Sequence, residues 1–98
     1  MTAIHIQSKN DDGRQKAVAL GYEPENDDAP RVLASGKGII AKKIIDVARK
    51  NGIPIRDDPV LVAALSEIDI NKTIPPEMYR VVAEVLSYIY RIQQKQIK

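Results

Sequence analysis

The sequence predicts one α/β (α+β) domain: a small mixed β-sheet of about four strands with about three helices packed on it. Three observations predict it. Two short apolar-rich runs, KAVALGY (16–22) and RVLAS (31–35), flank an acidic loop with a proline towards each end, EPENDDAP (23–30), the pattern of a hairpin with a long connection. A helix-periodic stretch then leads to another short apolar run, IPIR (53–56), so a strand–helix–strand unit occupies 31–56. Finally, Pro75 and Pro76 open a stretch that runs to about Gln93 with no helix breaker.

Each element follows from its residues. In TAIHIQ, Ile4 and Ile6 alternate with polar neighbours. That reads equally as a strand or as a frayed terminal arm. NDDG (10–13) is turn chemistry, because Asn and Asp bond their own backbone and Gly accepts positive φ. KAVALGY has apolar residues on both faces, as a covered strand does. Between Gly36 and Gly52, residues Ile40, Ala41, Ile44, Ile45, Val47 and Ala48 fall on one helical face, with Lys42, Lys43, Arg49 and Lys50 opposite and Asp46 among them. Arg49 and Lys50 suit the negative end of the helix dipole, and Asn51-Gly52 is a stop signal. Asp58 can cap the next helix, with Pro59 at its first position. The strand–helix–strand unit implies a parallel strand pair beside the antiparallel hairpin.

Composition narrows the function classes. The 98 residues make one domain, and 44% hydrophobic content suffices for a core. Residues 1–15 read as an N-terminal arm, 16–93 as the domain and 94–98 as a tail. A net charge of +2 is too small to indicate nucleic acid by itself. With no cysteine and a single histidine, His5, neither a thiolate nor a histidine-based metal site is expected, and no cofactor. No apolar run approaches the roughly 20 residues that span a bilayer, and no signal peptide is evident, so a cytoplasmic location is expected.

Candidate sites are few. SGKG (35–38) follows a strand and precedes a helix, yet it lacks the glycine spacing and the hydroxyl of a phosphate loop, so it reads as a tight turn. The basic face Lys42, Lys43, Arg49 and Lys50 has no aromatic residues interleaved for base stacking, so it reads as a solvated face. The scattered carboxylates form no general acid/base pair, and no enzyme activity is expected. The last helix is more informative. Met78, Val81, Val82, Val85, Ile89 and Ile92 form the centre of its apolar face, while Arg80, Glu84, Ser87 and Arg91 make a polar stripe. Tyr79, Ala83, Leu86 and Tyr90 widen the apolar face beyond what one-sided packing needs. Either the helix is wedged between two layers, or the flank with Ala83, Leu86 and Tyr90 is a docking surface.

Three segments together carry a resemblance: AVALGYEPENDDAPRVLASG, IPIRDDPVLVAAL and IPPEMYRVVAEVLSYIY. Over about residues 17–90 the chain resembles the cytoplasmic domain of the export-apparatus switch protein of bacterial flagella and type III secretion systems. Typical members place this domain after four transmembrane helices; here it reads as a stand-alone copy. The family writes Asn-Pro-Thr-His directly before the AVAL strand, usually with a Tyr between, and cleaves itself between Asn and Pro. The Asn side-chain amide attacks its own carbonyl carbon and closes a succinimide. In this chain those places hold Asp12, Gly13, Arg14 and Gln15, and Lys16 stands for the Tyr. An ionised Asp carboxylate is a poor nucleophile toward its own carbonyl, so the self-cleavage is not expected here.

The resemblance also implies a substrate-capturing apolar patch at Ala29, Pro30, Ala83 and Leu86, expected to be exposed. Gly21 stands where many relatives carry a longer residue, and Ala63 where many are basic. The implied function is a non-enzymatic binding module of flagellar (type III) protein export. It would dock export substrates or replace the soluble domain of the switch protein. The implied partners are those substrates and the export-gate proteins, with association to a membrane export complex but no membrane span. The alternative is a small basic nucleic-acid-binding domain using Lys42, Lys43, Arg49 and Lys50, though no nucleic acid is expected as a partner.

Overall fold

The computed structural model describes residues 2–8, 15–23 and 29–96, and their side chains except those of residues 2 and 88–96. Its elements are β1 (Thr2–Ser8), β2 (Lys16–Tyr22), β3 (Arg31–Lys37), α1 (Ile39–Lys50), β4 (Ile55–Asp57), α2 (Pro59–Leu65), a 3-10 turn at Pro76–Met78 and α3 (Tyr79–Gln96). The strands form one mixed sheet in the order β3-β2-β1-β4, antiparallel except for the β1–β4 pair. The α+β class expected from the sequence is the one observed.

The alternation of side chains across the sheet makes three layers. Ile4, Ile6, Val18, Leu20 and Val32 point to one face, where they meet Leu61, Val62 and Leu65 of α2 and Val82, Val85 and Leu86 of α3. Ala17 and Ala19 point to the other face, where Ala41, Ile44 and Ile45 of α1 pack on them. One face is thus branched and bulky and the other is mostly alanine. The β2 run has apolar residues on both faces because both faces are covered.

The two readings of the N-terminal segment resolve to a strand. β1 pairs with β2 from Thr2↔Tyr22 to Ser8↔Lys16, and Ile4 and Ile6 are fully buried. This inner strand changes the expected topology. The strand–helix–strand unit was expected to pair its own strands, yet β3 and β4 lie at opposite edges of the sheet with β2 and β1 between them. The parallel partner of β4 is β1, through His5↔Ile55, Ile6↔Arg56 and Gln7↔Asp57. A seven-residue strand with two fully buried isoleucines outcompetes a three-residue strand for the central position.

Two helical faces differ from the wheel reading. On α1 only Ala41, Ile44, Ile45 and Ala48 are buried, while Ile40 and Val47 are 58% and 52% exposed. The alanine floor meets only a narrow arc of the helix, and those two residues fall beyond its edge. On α3 the buried arc is turned toward Leu86: Val82, Val85 and Leu86 are buried while Val81 is 45% exposed. The side chains of Ile89, Tyr90, Arg91 and Ile92 lie outside the described residues.

Capping follows the residues. The Asp58 carboxylate accepts from the Leu61 N–H at 3.0 Å, and Pro59 occupies the first turn. Gly38 sits at φ 61°, ψ −125°, a conformation that effectively requires glycine. The SGKG stretch is accordingly the turn from β3 into α1.

Candidate functional site

The site begins with residues 71–76. Asn71 adopts φ 74°, which an Asn side chain tolerates, and turns the chain back along β3. Its N–H donates to the Val32 carbonyl at 2.7 Å, the Val32 N–H donates to the Lys72 carbonyl at 3.0 Å, and the Ile74 N–H donates to the Pro30 carbonyl at 2.9 Å. Ile74 is buried, so this clamp is anchored in the core. Pro75 then breaks the pairing, and Pro76 starts the 3-10 turn that leads into α3. The segment that fixes Ala29-Pro30 at the entrance of β3 is therefore the one that launches α3. Residues more than 50 positions apart become neighbours through one short connection.

The result is a groove of about 250 Å³ lined by Tyr22, Ala29, Pro30, Tyr79, Ala83, Leu86 and Ser87. All four candidate residues, Ala29, Pro30, Ala83 and Leu86, line it. Their exposure departs from expectation. Ala29 is 3% exposed and Leu86 9%, so both belong to the core and form the floor; Ala83 is exposed and Pro30 is half-buried, so they form the walls. The physical reason is the turned arc of α3: the methyl of Ala29 leaves room for Leu86 to settle against the core beside it.

Sequence reasoning missed Tyr22, Tyr79 and Ser87 as lining residues. Tyr79, Ala83, Leu86 and Ser87 stand at i, i+4, i+7 and i+8, which places them along one side of the helix. By the helical wheel alone Ser87 belongs to the polar stripe with Arg80, Glu84 and Arg91. Tyr22 ends β2 beside them, and only the tertiary fold reveals it. The groove thus offers two aromatic rings, a hydroxyl and small apolar residues. Among the described residues its lining holds no carboxylate, imidazole or ammonium group, and no group of three metal-ligating side chains occurs among them.

The remaining candidates lie elsewhere. Asp12, Gly13 and Arg14 fall outside the described residues. Gln15 is tied into the sheet entrance: its carbonyl accepts from the Gly38 N–H at 2.8 Å, and its Nε2 donates to Gln7 Oε1 at 3.1 Å. Ala63 is exposed on α2 and borders a polar hollow with Lys16, Ser35, Lys37, Ser66 and Glu67. Lys42, Lys43, Arg49 and Lys50 are all exposed on α1, with Asp46 among them. His5 is buried under α1, where Nδ1 meets the Ile44 carbonyl at 3.1 Å in the geometry of an N–H donor. Burial lowers its pKa below 6.5, with the Ile44 hydrogen bond opposing.

Similarity to known proteins supplies the rest. The model of the FlhB HrpN YscU SpaS family matches residues 14–89. Protein YlqH of Bacillus subtilis is 44% identical over 80 residues, covering 82% of this chain and 86% of that protein. The flagellar biosynthetic protein FlhB of Aquifex aeolicus is 45% identical over 74 residues, covering 74% of this chain and only 21% of that protein. This chain therefore corresponds to about a fifth of such FlhB proteins and to most of YlqH. Among solved structures, the cytoplasmic domain of FlhB from Shewanella putrefaciens superposes with a TM-score of 0.83 at 30% identity, covering 95% of this chain and 73% of that domain. A variant EscU C-terminal domain shares the fold, with a TM-score of 0.79 at 23% identity, covering 87% of this chain and 82% of that domain. No helix among the described residues is long and apolar enough to cross a membrane. With the family model matching more than three-quarters of its length, this chain belongs to the FlhB HrpN YscU SpaS family of flagellar and type III export switch proteins.

Proposed function

We propose that this chain is a non-enzymatic docking module of bacterial flagellar (type III) protein export, acting in the cytoplasm beside the membrane export complex. Its groove takes a short apolar segment of an export substrate. The observation that carries this reading is the groove itself: Ala29, Pro30, Ala83 and Leu86, distant in sequence, line one concave surface with Tyr22 and Tyr79.

The chemistry suits brief capture. Ala29 and Ala83 leave space for inserted side chains, and the tyrosine rings give apolar area with little entropy to lose. One buried Leu- or Phe-sized side chain contributes roughly 1.5–3 kcal/mol before the cost of association is subtracted. A few such contacts give weak, rapidly reversible binding, as a hand-off to export-gate proteins requires. In this reading Asp12-Gly13 takes no part in self-cleavage, so the module works as one uncut chain. It supplements or replaces the soluble domain of a longer switch protein.

The test is binding of purified early flagellar export substrates to the chain and to Ala83→Asp. Undiminished capture by the folded variant would remove the groove from the account.

A further inference from the structure

We infer that the outer flank of α1 is a second docking face, fitted to an amphipathic helix of a partner protein whose apolar side chains enter between Leu33, Ile40 and Val47 and whose flanking carboxylates meet Lys43 and Lys50. It lies on the opposite face of the sheet from the first groove, so it goes beyond the proposed function.

The face is concave. His5, Ala19, Leu33, Ala34, Ile40, Lys43, Ile44 and Val47 border a groove of about 350 Å³ between α1 and β3. Its rims are apolar yet open to solvent, with Leu33 38% exposed, Ile40 58% and Val47 52%.

The rims are also seated. A methyl built on Gly21 would lie 2.8 Å from Leu33 Cδ1, and one built on Gly36 would lie 2.8 Å from Ile40 Cβ. Leu33 and Ile40 thus rest directly on bare backbone, and the groove keeps its shape without a ligand. Gly21 carries no side chain, and the space that leaves is where Leu33 lies.

Geometry and charge select the occupant. Ile40, Lys43, Ile44 and Val47 follow one another at helical spacing, so the groove runs along α1 and accepts a second helix beside it. Lys43 is the sole charged residue of the lining, and Lys50 continues its row one turn on from Val47. The helix as a whole carries Lys42, Lys43, Arg49 and Lys50 against Asp46 alone; Asp46, three residues after Lys43 and four before Lys50, offsets part of their charge and leaves the row net basic. An approaching helix with Glu or Asp beside its apolar stripe is attracted, and one with Lys is repelled. An anionic lipid surface also matches the charge, but a bilayer face is served by a convex apolar ridge rather than by a groove between a helix and an edge strand.

The experiment uses the full chain and two fluorescein-labelled helical peptides of about five turns, one with a leucine face flanked by Glu and its counterpart flanked by Lys. Fluorescence anisotropy should show saturable binding of the Leu/Glu peptide and at least about tenfold weaker binding of the Leu/Lys peptide. Val47→Asp and Lys43→Glu should each weaken Leu/Glu binding about tenfold or more while the melting temperature holds, because both positions are exposed. Ala83→Asp should leave it unchanged, which separates this face from the first groove. Equal affinity for both peptides, or unaltered binding by Val47→Asp and Lys43→Glu, would overturn the inference. So would sedimentation with phosphatidylglycerol-containing vesicles in the absence of Leu/Glu binding, which would assign the face to lipid.

Discussion

Leu86 and Ala83 line the same groove but should fail in opposite ways. Leu86 is 9% exposed and packs with Val82 and Val85 on the sheet. Truncating a buried leucine costs about 2–5 kcal/mol. Because the groove lets water into part of the vacated space, Leu86→Ala should fall at the lower end, about 2–3 kcal/mol. A domain of this size loses roughly 5 °C of melting temperature per kcal/mol, so the midpoint should drop by about 10–15 °C. Ala83 is exposed at the rim. Ala83→Asp removes no core contact and costs only the lower helix propensity of Asp, about 0.5–0.7 kcal/mol, or roughly 3 °C. Its carboxylate would however be desolvated by any apolar segment in the groove, which should weaken substrate binding by about tenfold or more. Thermal melting by circular dichroism, beside anisotropy with an early flagellar export substrate, reads both effects. A Leu86→Ala midpoint within about 3 °C of the parent would refute the placement of Leu86 as floor. Full affinity in folded Ala83→Asp would refute the docking reading.

Four further outcomes are expected. His5 is the chain's one histidine, and burial lowers its folded-state pKa below 6.5. The unfolded chain therefore takes up that proton first, so stability should be full above about pH 6.5 and decline as pH falls below it; urea midpoints of His5→Gln, measured in parallel, should lack this component. Asp58→Ala should cost about 1 kcal/mol through the lost cap on α2, seen as a lower denaturation midpoint. Gly36→Ala should cost about 1–3 kcal/mol, because the added methyl must displace Ile40, and an unchanged melting point would contradict the close approach of α1 to β3. The chain should remain a single species of 10.9 kDa on prolonged incubation at neutral pH, and a new N-terminus at Gly13 by mass spectrometry would contradict the uncut module.

The sequence announces some of this structure and hides the rest for identifiable reasons. The β2–β3 hairpin, the Asp58-Pro59 helix start and the Asn51-Gly52 stop are written in local chemistry, and the fold contains them. The role of β1 is not written locally. Ile4 and Ile6 alternate in the same way whether a segment dangles or takes an inner place in the sheet, and only pairing with both β2 and β4 decides it. The strand–helix–strand unit misleads for the same reason: a sequence gives the order of strands along the chain, while the sheet order depends on which strands bury more surface. Helical wheels give direction but not width. Ile40 and Val47 share a wheel face with Ile44, yet the alanine floor of β2 is too narrow to cover them. The groove is half legible. Ala83 and Leu86 stand out on a surplus apolar flank, whereas the approach of Ala29-Pro30 depends on the clamp from Asn71 to Ile74, which no periodicity signals.

The most direct test of the docking account is amide chemical-shift mapping of the isotope-labelled full chain titrated with an early flagellar export substrate. The account predicts that the large shifts fall on Tyr22, Ala29, Tyr79, Ala83, Leu86 and Ser87, lose saturation in Ala83→Asp, and spare the α1 residues Lys42 and Arg49. Shifts absent from the groove residues, or concentrated on α1 instead, would contradict it.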